Sequence, residues 1–452
     1  VLSAHPSQVH VVLTPVRRQY EAHGYGPRKL DALDTQLSAF SLALETAGVR
    51  VHRQPLEHYR DAATWVFELA RTLNSSIVWA DREYGLNERR RDAWLGKRLN
   101  AAGIDFNLVD DRVTYAPEDL LTAQQQPFKV YTAYKNAWRK HWHADPRPPY
   151  PRPNWACELP ASEADAQEAL QTYAQSDLPQ YVEHRNHLTR PVVSGLSPAI
   201  ANGLLTTRQA FAAVNGTAYG EHPSAEQWLN EWIWREFFYA VGYHFPQVYT
   251  HKALQPWTEY VPWHHHPGHL TAWQEGQTGF PIVDAAMRQL KSTGQMPNRA
   301  RMFTAAFLAK DLLLDWRLGE AWFLTQLNDS DFVVNNGNWQ WGASTGVDAA
   351  PYFRIFNPLR QAQKFDPEGT YVRQWIPELA HLPLPAIHTP SPMERRSAGY
   401  PDAIVIHRDA AERTKSAFKT AKAHHSAIKE EDAPNRHVFA QPAEQGRANP
   451  YD

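Results

Sequence analysis

From residue 9 to about residue 110, short apolar runs alternate with stretches of helical spacing. Val9–Leu13, Val49–His52, Ile77–Ala80 and Phe106–Val109 are brief, rich in β-branched or aromatic residues and bounded by turn or polar positions, which predicts four buried strands. Between the first two, Leu30, Leu33, Leu37, Phe40 and Leu44 recur every three or four residues and Gly48 follows as a stop, so one amphipathic helix is expected there. Ala62–Leu73 and Asn87–Ala102 carry the same spacing. Strand and helix thus alternate in the order that builds a parallel sheet through right-handed crossovers. No GxGxxG follows any of the strands, so a dinucleotide-binding first turn is not expected.

The pattern changes in mid-chain. Residues 145–160 read DPRPPYPRPNWACELP, and prolines at this density continue neither a helix nor a central strand, so a semi-rigid connector is predicted over 139–160. Beyond it, long helical segments such as Ala225–Tyr243 and Asn298–Gly319 dominate, which predicts an all-α half over 161–423. After Lys422 the composition turns polar and rich in Ala, Glu and Pro, and 424–452 are expected to form a disordered tail. The expected organisation is an α/β domain over 1–138 followed by an all-α domain.

Length agrees with two domains, since 452 residues are roughly three times a usual domain. Lys and Arg number 46 against 48 Asp and Glu, so any contact with nucleic acid must come from a local basic patch, not from an overall field. The single Cys157 makes neither an intrachain disulfide nor a CxxC site, no signal-peptide pattern is present and no apolar run is long enough for a bilayer. A cytoplasmic protein without membrane segments is expected. Seventeen Trp accompany only 4 Met; most belong in the core, but indole also stacks on flat heterocycles and carries a radical briefly.

The densest chemistry lies between Asn298 and Asp348. Asn298 and Met302 stand at i and i+4, so an amide and a thioether share one helix face. Downstream, Asp329-Ser330-Asp331 precedes Asn335-Asn336-Gly337-Asn338-Trp339-Gln340-Trp341, a run of small polar groups that suits a flat polar ligand. The aspartates are equally read as helix caps and the Asn-Asn-Gly as a turn. In SAEQWLNEWIWREFF, Glu231, Trp234 and Phe238 fall on one face, a carboxylate beside aromatic planes; the alternative is an i,i+4 surface pair of Glu231 with Arg235. His264, His265, His266 and His269 raise a metal site, but three consecutive His cannot face one ion on a helix, and no metal is expected.

EWIWREFF, AWQEGQTGFPIVDAAMRQLKSTGQMPNRARM, DWRLGEAWF and NNGNWQWGASTGVDAAPYFRIFNP, in this order and spacing, resemble the FAD domain of DNA photolyases of the class I cyclobutane pyrimidine dimer type. The resemblance runs from about residue 10 to 423, is densest over 226–380, and includes NERRRDAWL and FKVYTAYKNAW in the α/β half. It implies a Rossmann-like, antenna-type α/β domain with a parallel sheet, then an all-α domain that holds FAD non-covalently and reads a dimer flipped out of DNA. The implied activity is that of a carbon–carbon lyase, in which an electron from light-excited reduced FAD opens the cyclobutane ring and returns. Cryptochrome-type blue-light sensors share the fold; Asn335, Met302 and the short tail count against that reading.

By the same resemblance, Tyr181 and the loop Val193-Ser194-Gly195-Leu196-Ser197 hold the flavin phosphates and ribose, and Trp228, Arg235, Arg301, Asp329, Ser330, Asp331 and Asn335 complete the pocket. The family usually carries Thr and Arg where Val193 and Gly195 stand, so weaker FAD binding is expected. Asp329 pairs with Arg301 beneath the ring system and Asn335 faces its reactive nitrogen, where an amide donates or accepts. Glu231 hydrogen-bonds the pyrimidine edge, Trp234 and Trp341 stack on the bases, and Asn298 and Met302 line the far wall in place of the His pair of enzymes for (6-4) photoproducts. Arg185, Arg235 and Arg299 face phosphate. Trp339, Trp316 and Trp263 form a chain of indoles from flavin to surface. Asn87 and Glu88 match positions that bind a folate or deazaflavin antenna in some relatives, and equally read as the start of a surface helix. The implied partner is DNA containing pyrimidine dimers, met by a monomer in the bacterial cytoplasm. The family opens with an apolar strand and a Phe-Arg-x-Asp-Leu-Arg-like run that have no counterpart after Val1, so about one βα step of the sheet is expected to be missing, leaving backbone groups that need partners.

Overall fold

The computed structural model describes residues 5–151, 161–189 and 193–432. Strands β1 (His10–Leu13), β2 (Arg50–Arg53), β3 (Ile77–Asp81) and β4 (Asp105–Val109) lie within a residue of the apolar runs that predict them. Helices α1 (Arg17–Ala22) and α2 (Pro27–Thr46) connect β1 to β2, α3 (Tyr59–Thr72) leads to β3, and α4 (Leu86–Ala101) leads to β4. Helix α2 begins on Pro27, whose missing N–H costs nothing in a first turn.

Both ladders are parallel, with Val11 opposite Val51 and Trp79 opposite Asn107, but they form two separate two-stranded sheets among the described residues. The strands are also less buried than their sequence predicts. Helices α3 and α4 cover one face of β3–β4, where Phe67, Leu95 and Leu99 pack with Val78 and Phe106. Ile77 and Trp79 alternate to the opposite face and are 39% and 49% exposed. What covers a strand decides its burial, and that is not written in the strand.

Helix α5 (Tyr131–Ala144) carries the chain toward the helical half, so residues 139–144 of the predicted connector are helical. Cys157 lies outside the described residues. There follow α6 (Ala161–Ser176), α7 (Tyr181–His184), α8 (Ser197–Ala201), α9 (Thr207–Asn215) and α10 (Pro223–His244). Helix α10 buries Trp228, Trp232, Ile233, Phe237 and Phe238 around its circumference and becomes the central helix. Next come α11 (Pro267–Glu275), α12 (Pro281–Thr293), α13 (Asn298–Ala306), α14 (Trp316–Gln326), α15 (Phe332–Ala343), α16 (Pro358–Phe365), α17 (Thr370–Trp375), α18 (Pro392–Ala398) and α19 (His407–Asp432).

Two expectations fail here for local reasons. Asn298–Gly319 is not one helix: α13 passes into a π-helical turn at Phe307–Asp311, Leu313 takes φ +52°, and α14 restarts on the side-chain cap of Asp315. Residues 424–432 are helical, not disordered, because α19 is anchored upstream and its Ala, Lys and Glu residues then propagate the helix at little cost. Its anchors are the Thr414 hydroxyl on the Lys310 carbonyl, Arg413 on the Asp311 carbonyl, and Phe418 edge-on to Trp257 and Trp263.

Among the described residues the two largest apolar cores of the helical half lie around Trp273, Phe303, Trp316 and Trp339 and around α10 with α5, α6 and α9. Polar bonds, buried at Glu236 and exposed at Arg28, fasten the α/β half to them. Glu236 of α10 accepts the Thr114 N–H and hydroxyl, both at 2.8 Å, and the Trp138 indole at 2.6 Å, while Arg28 reaches the carbonyls of Lys291 and Ser292 at the end of α12.

Candidate cofactor and nucleic-acid site

Helices α13 and α15 and the loop before α8 converge on one charged centre. Arg301 Nη2 donates to both oxygens of Asp329, at 3.1 and 2.8 Å, and its Nε donates to the Met296 carbonyl at 2.9 Å. Burial pushes the Asp329 carboxyl up, but Arg301, the Ser197 hydroxyl and Lys29 together outweigh it and hold it below the ordinary range. The carboxylate stays ionised under a guanidinium of fixed orientation. Asp331 caps α15 by accepting the Val334 N–H at 3.3 Å, and its other oxygen accepts the Tyr239 hydroxyl at 2.6 Å. Asn335-Asn336-Gly337 lies inside α15 and forms no turn. The Ser330 hydroxyl closes α14 on the carbonyls of Leu324 and Leu327, both at 2.6 Å.

In the phosphate-loop candidate, Val193 is exposed, Gly195 takes φ +68° with open space where a β-carbon would stand, Leu196 is buried, and Ser197 opens α8. Ser194 is partly buried beside them. The left-handed backbone at Gly195 is the conformation glycine adopts without strain. Tyr181 is buried with the Arg185 guanidinium 4.9 Å above its ring, and Trp228 is buried between Tyr173 and Trp232.

Asn335 donates one Nδ2–H to the Glu320 carbonyl at 2.9 Å, which fixes the amide and leaves its oxygen and its second N–H for a ligand. The carboxylate of Glu320, fully buried, accepts Asn336 at 2.8 Å and faces His251 Nδ1 at 3.2 Å, and Gln340 donates to Asn336 at 2.9 Å. The bond to Glu320 raises the His251 pKa.

Glu231 and Trp234 share a face of α10, but Arg235 does not pair with Glu231. Arg185 does, at 2.9 Å, and Gln227 donates to the same Oε1 at 3.2 Å. Arg185, expected at phosphate, is paired here with a carboxylate of α10 in a charge-assisted hydrogen bond. Arg235, also expected at phosphate, turns inward to the Arg112 carbonyl at 2.6 Å and the Tyr239 hydroxyl at 3.3 Å. Arg299 lies over Phe365 at 4.6 Å and donates Nε to Asn186 at 3.2 Å. On α13, Asn298 is exposed and Met302, one turn on, is partly buried; Trp341 at the end of α15 is partly buried too.

Trp339 and Trp316 are buried and Trp263 is partly exposed. The six-membered ring of Trp339 lies on Gly319, one turn along α14 from Trp316, with edge contacts to Phe323 at 5.0 Å and Trp273 at 6.0 Å. In the α/β half Asn87 meets His23 at 3.1 Å and Glu88 accepts the Tyr59 hydroxyl at 2.7 Å, so both antenna candidates already have protein partners. His266 caps α11 by accepting the His269 N–H at 3.1 Å, and among the described residues no group of His, Cys, Asp and Glu is arranged to hold a metal.

Sequence reasoning missed several residues at this site. Lys29 of α2, buried between the two halves, donates to the Ala201 carbonyl at 3.1 Å and to the Asn202 side chain; burial lowers its pKa to about 8, with Asp331 and Asp329 pulling the other way. Nothing local marks it. Glu320, Trp273 and Tyr131 were missed as well, although Tyr131 sits in FKVYTAYKNAW, a segment the resemblance already covers.

Two family models match this chain, "DNA photolyase" over residues 3–154 and "FAD binding domain of DNA photolyase" over residues 228–420. The fold is similar to a bacterial class III photolyase from Agrobacterium tumefaciens, with a TM-score of 0.78, 30% identity and 92% of each chain covered. It is also similar to a Synechocystis cryptochrome, with a TM-score of 0.77, 27% identity, and 90% of this chain and 92% of that one covered. These likenesses define the class as the flavoprotein fold shared by photolyases and cryptochromes. The deoxyribodipyrimidine photo-lyase of Escherichia coli K12 is 37% identical over 91% of this chain and 92% of its own length, and that of Vibrio cholerae is 36% identical over 93% and 95%. The chain belongs to the DNA photolyase family, and its helical half is an FAD-binding domain.

Proposed function

We propose that this protein splits cyclobutane pyrimidine dimers in DNA, using blue light absorbed through bound, reduced FAD. FAD, when bound, supplies the excited electron; the chain's own residues bind, orient and shield. The observation that carries the reading is that the same three helices supply both pockets. Helix α13 brings Arg301 to Asp329 and bears Asn298 and Met302, α15 bears Asn335 and Trp341, and α10 bears Trp228 with Glu231 and Trp234. A flavin and an extruded dimer are thereby held by one rigid unit at short range, which is what electron transfer needs from the protein. The fixed Arg301–Asp329 pair, the amide oxygen of Asn335 and the unobstructed Gly195 turn are a donor and acceptor set that fits an isoalloxazine and its phosphate arm.

Glu231 offers its Oε2 to the dimer edge while Arg185 and Gln227 steady its Oε1. Trp234 and Trp341 offer aromatic planes to the flipped bases. The α13 face presents an amide and a thioether but no imidazole, so it has no proton donor suited to (6-4) photoproducts near neutral pH. The test is a light-dependent assay on duplexes carrying each lesion. Dimers should disappear only under blue light and (6-4) photoproducts should persist; equal repair of both would sink the reading of α13. The likeness to a cryptochrome motivates a second reading, a light sensor, which predicts flavin photochemistry without loss of dimers. We place the enzyme in the cytoplasm as a monomer, checked by fractionation and sedimentation.

A further inference from the structure

The indole of Trp234 already has a ring against one of its faces. Tyr131, the first residue of α5, stacks on it with ring centroids 3.5 Å apart and planes 8° apart. Aromatic pairs ordinarily prefer an offset or edge-to-face arrangement, so so close a face-to-face stack requires that both rings be held from outside. Tyr131 is held at each end. Its N–H donates to Asp348 at 2.9 Å, and its hydroxyl donates to the Asn230 carbonyl at 2.9 Å. Asn230 lies one turn before Trp234 on α10, so the hydroxyl registers the ring against the turn that bears the indole. Phe237 closes the edge, meeting Trp234 at 5.7 Å and Tyr131 at 5.9 Å, both near perpendicular. Tyr131 is buried whereas Trp234 keeps part of its surface exposed. With one face under Tyr131, that exposure belongs to the rest of the indole.

We propose that Tyr131 is a positioning residue for lesion recognition: it holds Trp234 in the plane that receives an extruded pyrimidine, so that Tyr131, Trp234 and the base form one three-ring stack. The inference rests on the lesion pocket proposed above. An indole free to change rotamer pays the ordering cost when DNA arrives; one clamped beforehand does not, and its stacking energy goes to the base. The clamp links the walls of the site, because Asp348 follows α15, the helix that carries Asn335 and Trp341, and its carboxylate satisfies an N–H that the first turn of α5 leaves open.

The experiment measures, with holoprotein in the dark, binding to a duplex with a single cyclobutane dimer and to the same duplex undamaged. Trp234→Ala should weaken lesion binding by about tenfold to a hundredfold, the usual effect of removing one stacking ring. Tyr131→Ala should weaken it by about tenfold while undamaged DNA binds within about twofold of the parent, Tyr131→Phe should restore most of the loss, and the double variant should bind no worse than Trp234→Ala. Tyr131→Leu fills the volume without a ring and should show the same selective loss if the alanine variant does not fold. Lesion binding unchanged in Tyr131→Ala or Tyr131→Leu while Trp234→Ala is weakened overturns the inference alone. Lesion binding unchanged in Trp234→Ala as well overturns the pocket reading and the inference with it.

Discussion

Gly319→Ala is expected to destabilise the protein through Trp339, against the helix propensity of the new residue. A β-carbon built on Gly319 stands 2.1 Å from Trp339 Cη2 and 2.6 Å from Cζ3. Carbon atoms settle at about 3.5–4.0 Å, so the overlap is roughly 1.5 Å. The indole has no room to retreat, because it is buried between Phe323 at 5.0 Å and Trp273 at 6.0 Å. Either α14 lifts or Trp339 leaves its rotamer. Overpacking of this kind costs about 1–3 kcal/mol and alanine regains about 1 kcal/mol over glycine in a helix interior; an overlap this large belongs at the upper end, so a net loss of about 2 kcal/mol is expected. Trp339→Phe removes the clashing atoms, and the double variant should be more stable than the sum of the single effects by about 1 kcal/mol or more. Denaturant unfolding followed by circular dichroism measures both quantities. A Gly319→Ala protein more stable than its parent, with no coupling to Trp339→Phe, would refute the close approach of α14 to the indole.

Trp316→Phe should stop light-driven reduction of oxidised FAD and leave repair by chemically reduced enzyme nearly intact; photoreduction at the parent rate would mean that Trp316 only packs the core. Arg299→Ala should weaken damaged and undamaged DNA alike and flatten the salt dependence of binding by about one unit, whereas Glu231→Ala should lower repair per photon with DNA affinity less affected. The reverse pattern would exchange their roles. Burial lowers the Lys29 pKa from 10.5 to about 8, so between these values the unfolded chain keeps a proton that the folded one has released, and folding stability rises with pH across that window. Lys29→Met should remove this rise; the same slope with and without Lys29 would assign it to other groups.

Much of the site was legible because its chemistry is local. The i,i+4 spacing that sets Asn298 and Met302 on one face, and the Asp331 cap that starts α15, depend only on helix period and on a short side chain beside its own backbone. Arginine and lysine partners were not legible. Their side chains reach well beyond one helical turn, so Arg185, Arg235 and Lys29 choose among acceptors that packing brings from distant segments: Glu231, the Arg112 carbonyl and the end of α8. Tyr131 was hidden for the same reason, since its stacking partner lies on another helix.

By itself, then, the sequence determined the four parallel strands and the helices between them, the change to an all-helical second half, and the order of motifs that marks a photolyase FAD domain. These follow from hydrophobic period, prolines, caps and quoted strings, none of which needs a neighbour in space. Tertiary structure alone decided that the parallel strands form two separate ladders with Trp79 exposed, that α13 ends in a π-helical turn, and that 424–432 remain helical once α19 is anchored. It also decided how the Asn335 amide is oriented, because the Glu320 carbonyl on α14 accepts one of its N–H groups. Burial, register between layers and the choice among competing hydrogen-bond partners are properties of pairs of segments, and they come into being only when packing brings those segments together.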